Sequence, residues 1–318
     1  MVGRRKLLSS LAAAALLPSR ASAQQSASVR IGATTLDGGG YALYASALLE
    51  ALKFVDPLLQ LVVVPTNGTA DNAAMLATGD IDIGLVTGAV THELLTANVP
   101  DDEQVKVVSV MYSSPGLFGV RADSRFRRLA DLRGRPIVWS VKGSGVMVQA
   151  RYIIEGLGLD MERDFEPIYP KKFTDAAPLV VDGRAAALWG TGARWPAFVE
   201  LANTPVGARF VAPDQGEIRR ICEKFDFMAR MTVPAALYVG QYDPIETVGT
   251  WSYILARGSL PNAIGFRLAA SLSKAEHMGA MTKQLVQTTA KNTLGAVPSR
   301  DVLQPGVLEY YQKKGLVR

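Results

Sequence analysis

Residues 29–52 read VRIGATTLDGGGYALYASALLEAL, and they restrict the fold more than any other stretch of the chain. Val29, Ile31 and Ala33 alternate at the period of a buried strand. Gly38, Gly39 and Gly40 then remove every side chain where the backbone must turn. Tyr41, Tyr44, Ala45, Leu48 and Leu52 follow at helical spacing and give a helix one face to bury. The first N–H groups of such a helix have no internal acceptor and carry its positive dipole end, so the turn suits an anion. A dinucleotide fits poorly, because GGGYAL is not G-x-G-x-x-G and Asp56 precedes a proline and not the end of a second strand. Taken alone, the turn is equally compatible with an empty connection.

The same plan continues along the chain. A strand over 59–64 closes at Pro65 and the turn Thr66-Asn67-Gly68, and Thr69 is placed to cap a helix over 70–78. A strand at 81–86, a short helix at 90–97 and a strand at 105–111 come next. Residues 113–120, with Pro115 and Gly116, break the rhythm and read as a crossing into a second domain. There the plan restarts, with a strand over 135–141, the loop Lys142-Gly143-Ser144-Gly145 and a helix over 146–157. Strands at 165–169, 185–189 and 208–211 alternate with helices at 174–181, 195–203 and 217–225. Residues 231–239 read as the return crossing, 248–256 as another strand, and the chain from Pro261 as helical, ending in a helix over 305–314.

Strands alternating with helices predict an α/β fold of two lobes, each a mostly parallel sheet flanked by helices, joined by a hinge. Lobe I takes residues 24–115 and 234–318, and lobe II takes 116–233. Right-handed crossovers bring the carboxyl ends of the strands to one edge, where open α/β sheets bind ligands.

Residues 1–23 read as an export signal: Arg4, Arg5 and Lys6, an apolar run over 7–17, and Ala21-Ser22-Ala23 before Gln24. The paired arginines also suit a twin-arginine route, and the apolar run is too short to span a bilayer. The leader holds four of the 34 Lys and Arg residues and none of the 29 Asp and Glu, so the mature chain is near neutral. Nucleic-acid binding, which needs a basic surplus, is not expected. Cys222 is the only cysteine, so no internal disulfide forms. A monomer of the periplasm is the expectation.

Chemistry narrows the function further. His92 and His277 are the only histidines and lie far apart. They leave no plausible His/Cys metal cluster. Gly143-Ser144-Gly145 follows a strand and precedes a helix but is not G-x-S-x-G, so an exported α/β enzyme using Ser144 stands only as a rival reading. No Walker loop is present. Neither a cofactor nor an enzymatic activity is expected. Three small, polar turns at helix starts remain, at residues 34–40, 66–72 and 142–145. The first two fall in one lobe and the third in the other, so a carboxylate or phosphate held between the lobes could touch all three. Lys142 or Arg194 could add charge-assisted bonds. Trp189, Trp195 and Tyr112 could wall the ligand, although aromatic residues beside strands usually serve the core.

The chain resembles the solute-binding subunits of tripartite ATP-independent periplasmic (TRAP) transporters, in particular the TAXI subgroup, over essentially the whole mature sequence. Ile31-Gly32 with Gly38-Gly39-Gly40-Tyr41 is similar to that family's first strand and glycine loop. Residues 66–72, TNGTADN, followed by 76–82, LATGDID, are similar to its T-G-G-S-x-E-N…L-x-x-G-x-x-D pattern. Residues 129–134 with Gly143-Ser144-Gly145 resemble its entry into the second lobe. Val233-Pro234, residues 238–241 and the closing Pro305-Gly306…Tyr310-Tyr311…Lys314-Gly315-Leu316 are the most distinctive matches.

The resemblance implies a periplasmic-binding-protein fold of type II that closes on a small organic acid or amino acid. It implies delivery of that anion to TRAP membrane permease subunits driven by an ion gradient. The same architecture also serves ABC-type or tricarboxylate importers and ligand sensors of membrane receptors. Carried over residue by residue, the pocket is Thr35, Gly38, Gly39, Tyr41, Asn67, Thr69, Asn72, Ser144 and Gly145. The sequence departs from the family at several points expected beside the cleft. Val146 replaces a threonine, Thr87 a glutamine and Gln304 a histidine, and residues 185–187 lack an aspartate. Gly190-Thr191-Gly192 with Arg194-Trp195 alters the next loop. Thr87, Thr191, Arg194 and Trp195 therefore join Lys142 and Trp189 as expected ligand neighbours, and the added Arg and Trp favour a bulkier or aromatic carboxylate.

Overall fold

A computed structural model gives the protein's structure, described over residues 26–34 and 40–318. The export signal and the turn residues Thr35, Gly38 and Gly39 lie outside the described residues. Three strands open the fold, β1 (Ala27–Thr34), β2 (Leu59–Thr66) and β3 (Ile83–Val86). They lie in the order β2-β1-β3 and run parallel. Helices α1 (Gly40–Val55), α2 (Thr69–Thr78) and α3 (Gly88–Leu95) follow them in turn. Ile31 sits opposite Ile83 in the ladder, and Gly32 is opposite Gly84. A Cβ on Gly32 would lie 2.5 Å from Asn72 Oδ1, so glycine there lets α2 sit close on the sheet.

Two long strands carry the chain between the halves, β4 (Lys106–Arg121) and β10 (Ile245–Ala256), paired antiparallel along most of their length. Residues 113–120, expected to break the rhythm, continue β4 without interruption. Pro115 is accommodated because its partner is Gly249, where a Cβ would lie 2.3 Å from the Ser114 carbonyl oxygen. The Thr247 hydroxyl donates to the Gly116 carbonyl at 2.6 Å and ties the strands at the same level. The return passage is β10. Residues 231–239, expected to carry it, hold only the end of β9 (Ala229–Val233), which pairs antiparallel with β10, and a following turn.

The second half is built on β5 (Pro136–Val138), β6 (Glu166–Ile168), β7 (Ala187–Thr191) and β8 (Ala208–Val211). β5 lies between β6 and β7 and is parallel to both, while β7 and β8 each pair antiparallel with β4. Its helices are α4 (Gly145–Gly156), α5 (Ala176–Val181), α6 (Pro196–Ala202) and α7 (Gln215–Lys224). The chain then returns to the first half with α8 (Asn262–His277), α9 (Ala290–Ala296) and α10 (Pro305–Lys313). The sheet is thus parallel along the βα runs and antiparallel where the crossing strands enter. It is a mixed α/β sheet flanked by helices.

Burial follows the same division. One core draws on residues 29–111 and 253–311, with Ile31, Leu48, Leu85 and Leu255 enclosed. Two further cores draw on residues 117–248, around Phe118, Trp139 and Trp189 and around Phe198 and Leu188. Each such side chain withdrawn from water contributes roughly 1.5–3 kcal/mol, so each half has its own apolar reason to fold.

Candidate functional site

The carboxyl ends of β1, β2 and β3 face the starts of α1, α2 and α3, and those of β5 and β7 face the loops 139–144 and 192–195. The two edges meet where Thr87, at the start of α3, touches Gly145, the first residue of α4. A Cβ on Gly145 would lie 2.0 Å from Thr87 Oγ1. Six residues further along each helix the contact is renewed: Arg151 Nη2 donates to Glu93 Oε1 at 2.6 Å and the Tyr152 hydroxyl to the same oxygen at 3.1 Å. α3 and α4 therefore run side by side in one direction, with their N-termini together. Two positive dipole ends set together disfavour each other and favour an anion between them.

The two helix starts are finished differently. Ser144 caps α4, its hydroxyl accepting from the Met147 N–H at 3.3 Å and donating to Ser140 Oγ at 3.4 Å. Ser140 is buried at φ 87°, a left-handed conformation that costs a serine of order 1–3 kcal/mol and that the packed loop must hold in place. Thr87 occupies the cap position of α3, yet its hydroxyl makes no capping bond. Thr87 Oγ1 is buried without a partner among the described residues, as is Thr91 Oγ1 one turn on. Buried hydroxyls left unbonded are uncommon and costly, and these two stand where the halves meet.

Thr69 completes the first-half side. The cap of α2 is Gly68, not Thr69 as the turn pattern predicts. The Thr69 hydroxyl instead bonds the Tyr41 phenol at 3.2 Å and accepts from the Thr87 N–H at 3.4 Å. Burial pushes the Tyr41 phenol up to about 12, so it is neutral throughout the working pH range. Tyr112 lies beside Tyr44, with ring centroids 5.9 Å apart, and its hydroxyl would stand 3.4 Å from a Cβ on Gly40. It borders the start of α1, and burial raises its phenol well above the usual range.

Of the residues expected from sequence, Tyr41, Thr69, Thr87, Ser144 and Gly145 are brought together here. Asn72 and Trp189 are corrected, since both are fully enclosed and positioned to serve the frame. Asn72 accepts from the Thr66 hydroxyl and donates to the Leu85 carbonyl, each at 2.7 Å, locking α2 to the strands. Trp189 donates from Nε1 to the Val146 carbonyl at 2.9 Å and so holds the first turn of α4. Asn67 is exposed and bonded to Asp71 from both its backbone and side-chain nitrogens. Lys142 is exposed, its ammonium 4.9 Å above the Tyr169 ring.

Thr191 ends β7 opposite Gly116, half-buried. Trp195 packs edge-on against Phe198 with centroids 5.1 Å apart and covers Gly190. Arg194 is exposed at φ 55° and makes no ion pair among the described residues. The Tyr238 hydroxyl, in contact with both the Trp195 N–H and the Gly192 carbonyl, holds that loop. Gln304, expected beside the cleft, is corrected. It caps α10, and its N–H reaches the Val107 carbonyl near the start of β4, at the far end of the first half.

Gln149 was not singled out by sequence pattern. Its Nε2 donates to the Ser114 carbonyl at 2.8 Å and its Oε1 accepts from the Thr250 hydroxyl at 2.9 Å, bracing α4 against both crossing strands. The available signal was a glutamine one position before Ala150 and one turn before Ile153, on the buried side of the helix. A hollow of about 320 Å³ lies against α7 and β9, away from these strand ends, and is lined by Ile218, Cys222 and Met228 among others.

A family model described as the NMT1-like family matches residues 32–315. Among solved structures, a protein of Bordetella bronchiseptica RB50 is 15% identical, with 89% of this chain and 79% of that one covered and a TM-score of 0.52. An ancestral arginine-binding protein bound to arginine is 14% identical, covering 81% and 96%, with a TM-score of 0.50. The alkanesulfonate-binding protein SsuA from Xanthomonas axonopodis pv. citri, bound to MOPS, is 19% identical over 90% and 83%, at 0.48. The first two establish a shared α/β fold.

Proposed function

The chain belongs to the NMT1-like family, and from that premise we propose that it is a solute-binding protein closing its two halves on a small organic anion. The observation that carries this reading is the joint at Thr87 and Gly145. Two helix N-termini converge there, one of them without a side-chain cap among the described residues, beside a buried hydroxyl that has no partner among them. An anionic oxygen at that joint would take the first-turn N–H groups of both helices and the Thr87 and Ser144 hydroxyls. Thr69, Tyr41 and Tyr112 would border the rest of the ligand, together with the turn that holds Thr35, Gly38 and Gly39. Arg194, exposed and without an ion pair among the described residues, would be a provision for a second negative group on the ligand.

Closure follows from the arrangement. The ligand contacts both halves when they are together and one when they are apart, so it stabilises the closed form by that difference. The halves would divide near residue 115 within β4, and within β10 rather than at residue 234, since Tyr238 and Val248 pack in the cores of the second half. The resemblance to TAXI subunits supports a finer reading, in which an exported periplasmic protein hands its anion to a TRAP permease.

Native mass spectrometry of freshly purified protein is the deciding experiment. A small carboxylic acid or amino acid retained by the folded protein and released on denaturation is the expected result. A protein that carries nothing, and whose melting temperature no carboxylate, amino acid or phosphate raises, would overturn the reading. Calorimetry with the released compound should find Thr87→Val and Ser144→Ala each weaker by about 1–3 kcal/mol.

A further inference from the structure

Away from the joint, the second half gathers arginines that its own carboxylates do not match. Arg127 Nη1 donates to the Ser124 carbonyl at 2.6 Å, and Arg209 Nη1 donates to the same oxygen at 3.1 Å. The two nitrogens are no farther apart than those two bonds laid end to end. Ser124 Oγ is buried without a partner among the described residues. Burial, with the Arg127 charge added to it, pulls the Arg209 guanidinium below its ordinary value.

Three more exposed guanidinium groups stand about the neighbouring carboxylates Asp131 and Asp214. The charges of Arg125 and Arg128 reach Asp131, and those of Arg128 and Arg220 reach Asp214. None of the five arginines forms an ion pair among the described residues. The acids nearby are already engaged. Asp123 pairs with Arg121 at 2.7 Å, Asp131 accepts from the backbone N–H groups of Arg127 and Arg128, and Asp214 caps α7. Asp131 and Asp214 offset part of this charge, and five guanidinium groups about two carboxylates leave a basic surplus complementary to a negative surface brought by something else.

We propose that the face formed by Ser124, Arg125, Arg127, Arg128, Arg209 and Arg220 is a docking site for the aspartate and glutamate side chains of a protein partner. Two features favour carboxylates over a lipid surface. Guanidinium groups form fixed forks matched to carboxylates, and the arginines are set among engaged aspartates that position them. The whole mature chain, near neutral, offers no long-range pull toward an anionic membrane.

The probe is fluorescein-labelled octaglutamate, with anisotropy followed at low salt and at about 0.15 M ionic strength. Wild-type protein should bind it, and Arg127→Gln with Arg209→Gln should lose about tenfold or more, with a shallower salt dependence. Arg184→Gln, at an exposed arginine paired with Asp182, should bind as wild type does. If the double variant melts early, Arg128→Gln alone still tests the face, with about a threefold loss expected. Equal binding by wild type and variants would overturn the proposal. So would recruitment by phosphatidylglycerol vesicles without peptide binding, which assigns the face to a membrane, or displacement by equimolar inorganic phosphate, which makes it a small-anion site. Retained-ligand mass spectra of the variants should match wild type, so failure of this proposal leaves the solute-binding reading standing.

Discussion

Single residues decide how closely the halves approach. Gly145 is the clearest case, because any side chain would enter the space held by the Thr87 hydroxyl and methyl. Gly145→Ala should push α3 and α4 apart at about 1–3 kcal/mol of overpacking. Small-angle scattering should show a larger radius of gyration than wild type, and Thr87→Ala should recover part of the difference. An unchanged radius in Gly145→Ala would mean that the contact does not limit closure. Asp56 plays a structural part of the same sharpness, its carboxylate bound bidentately by Arg267 at 2.7 Å and by Ser271 at 3.2 Å, joining the end of α1 to α8. The Arg267 guanidinium holds that carboxyl below the usual range. A depressed folded value means the stabilisation is complete above about pH 4, the unfolded value, and is lost as pH falls through the folded one. Asp56→Asn should therefore cost about 3 kcal/mol near neutrality and progressively less in acid, read from urea unfolding at a series of pH values.

Elements show what sequence could and could not foretell. The βα units were legible because their signals are local: apolar alternation in β1, the apolar run of β3, and Pro305 and Gly315 around α10. The crossing strands were not. Pro115-Gly116 has the composition of a break, and what turns it into strand is Gly249, Thr247 and Thr250, more than 130 residues away along the chain. The roles of Asn72 and Trp189 were hidden although their partners lie only 6, 13 and 43 residues away. A polar or aromatic residue beside a turn looks alike in sequence whether it faces a ligand or braces a helix. Gln149 shows the converse, a polar residue on a buried helix face whose partners lie on two strands from different parts of the chain. Gln149→Leu should strand the Ser114 carbonyl and the Thr250 hydroxyl and destabilise the fold by about 2–4 kcal/mol. Denaturant unfolding would show this as a lower midpoint at unchanged slope. A midpoint equal to wild type would mean that the bridge between α4 and the crossing strands carries no stability.

At the scale of the molecule, the two continuous strands make the halves dependent on each other. β4 contributes Val107, Val108 and Val110 to the first core and Phe118 and Val120 to the second, while β10 contributes Leu255 to the first and Val248 to the second. Neither strand can leave one core without disturbing the other, so the halves should unfold together although each has its own interior. The tryptophans allow the test. Trp139, Trp189 and Trp195 pack in the second half and Trp251 against the first core, so in a Trp251→Phe background fluorescence follows the second half, whereas far-ultraviolet dichroism follows the helices of both. Coincident transitions by the two probes, with equal calorimetric and van't Hoff enthalpies, are expected of one cooperative unit. Fluorescence that melts apart from the dichroism would mean that the crossing strands act as a flexible link. Closure would then be set by the joint at Thr87 and Gly145 alone.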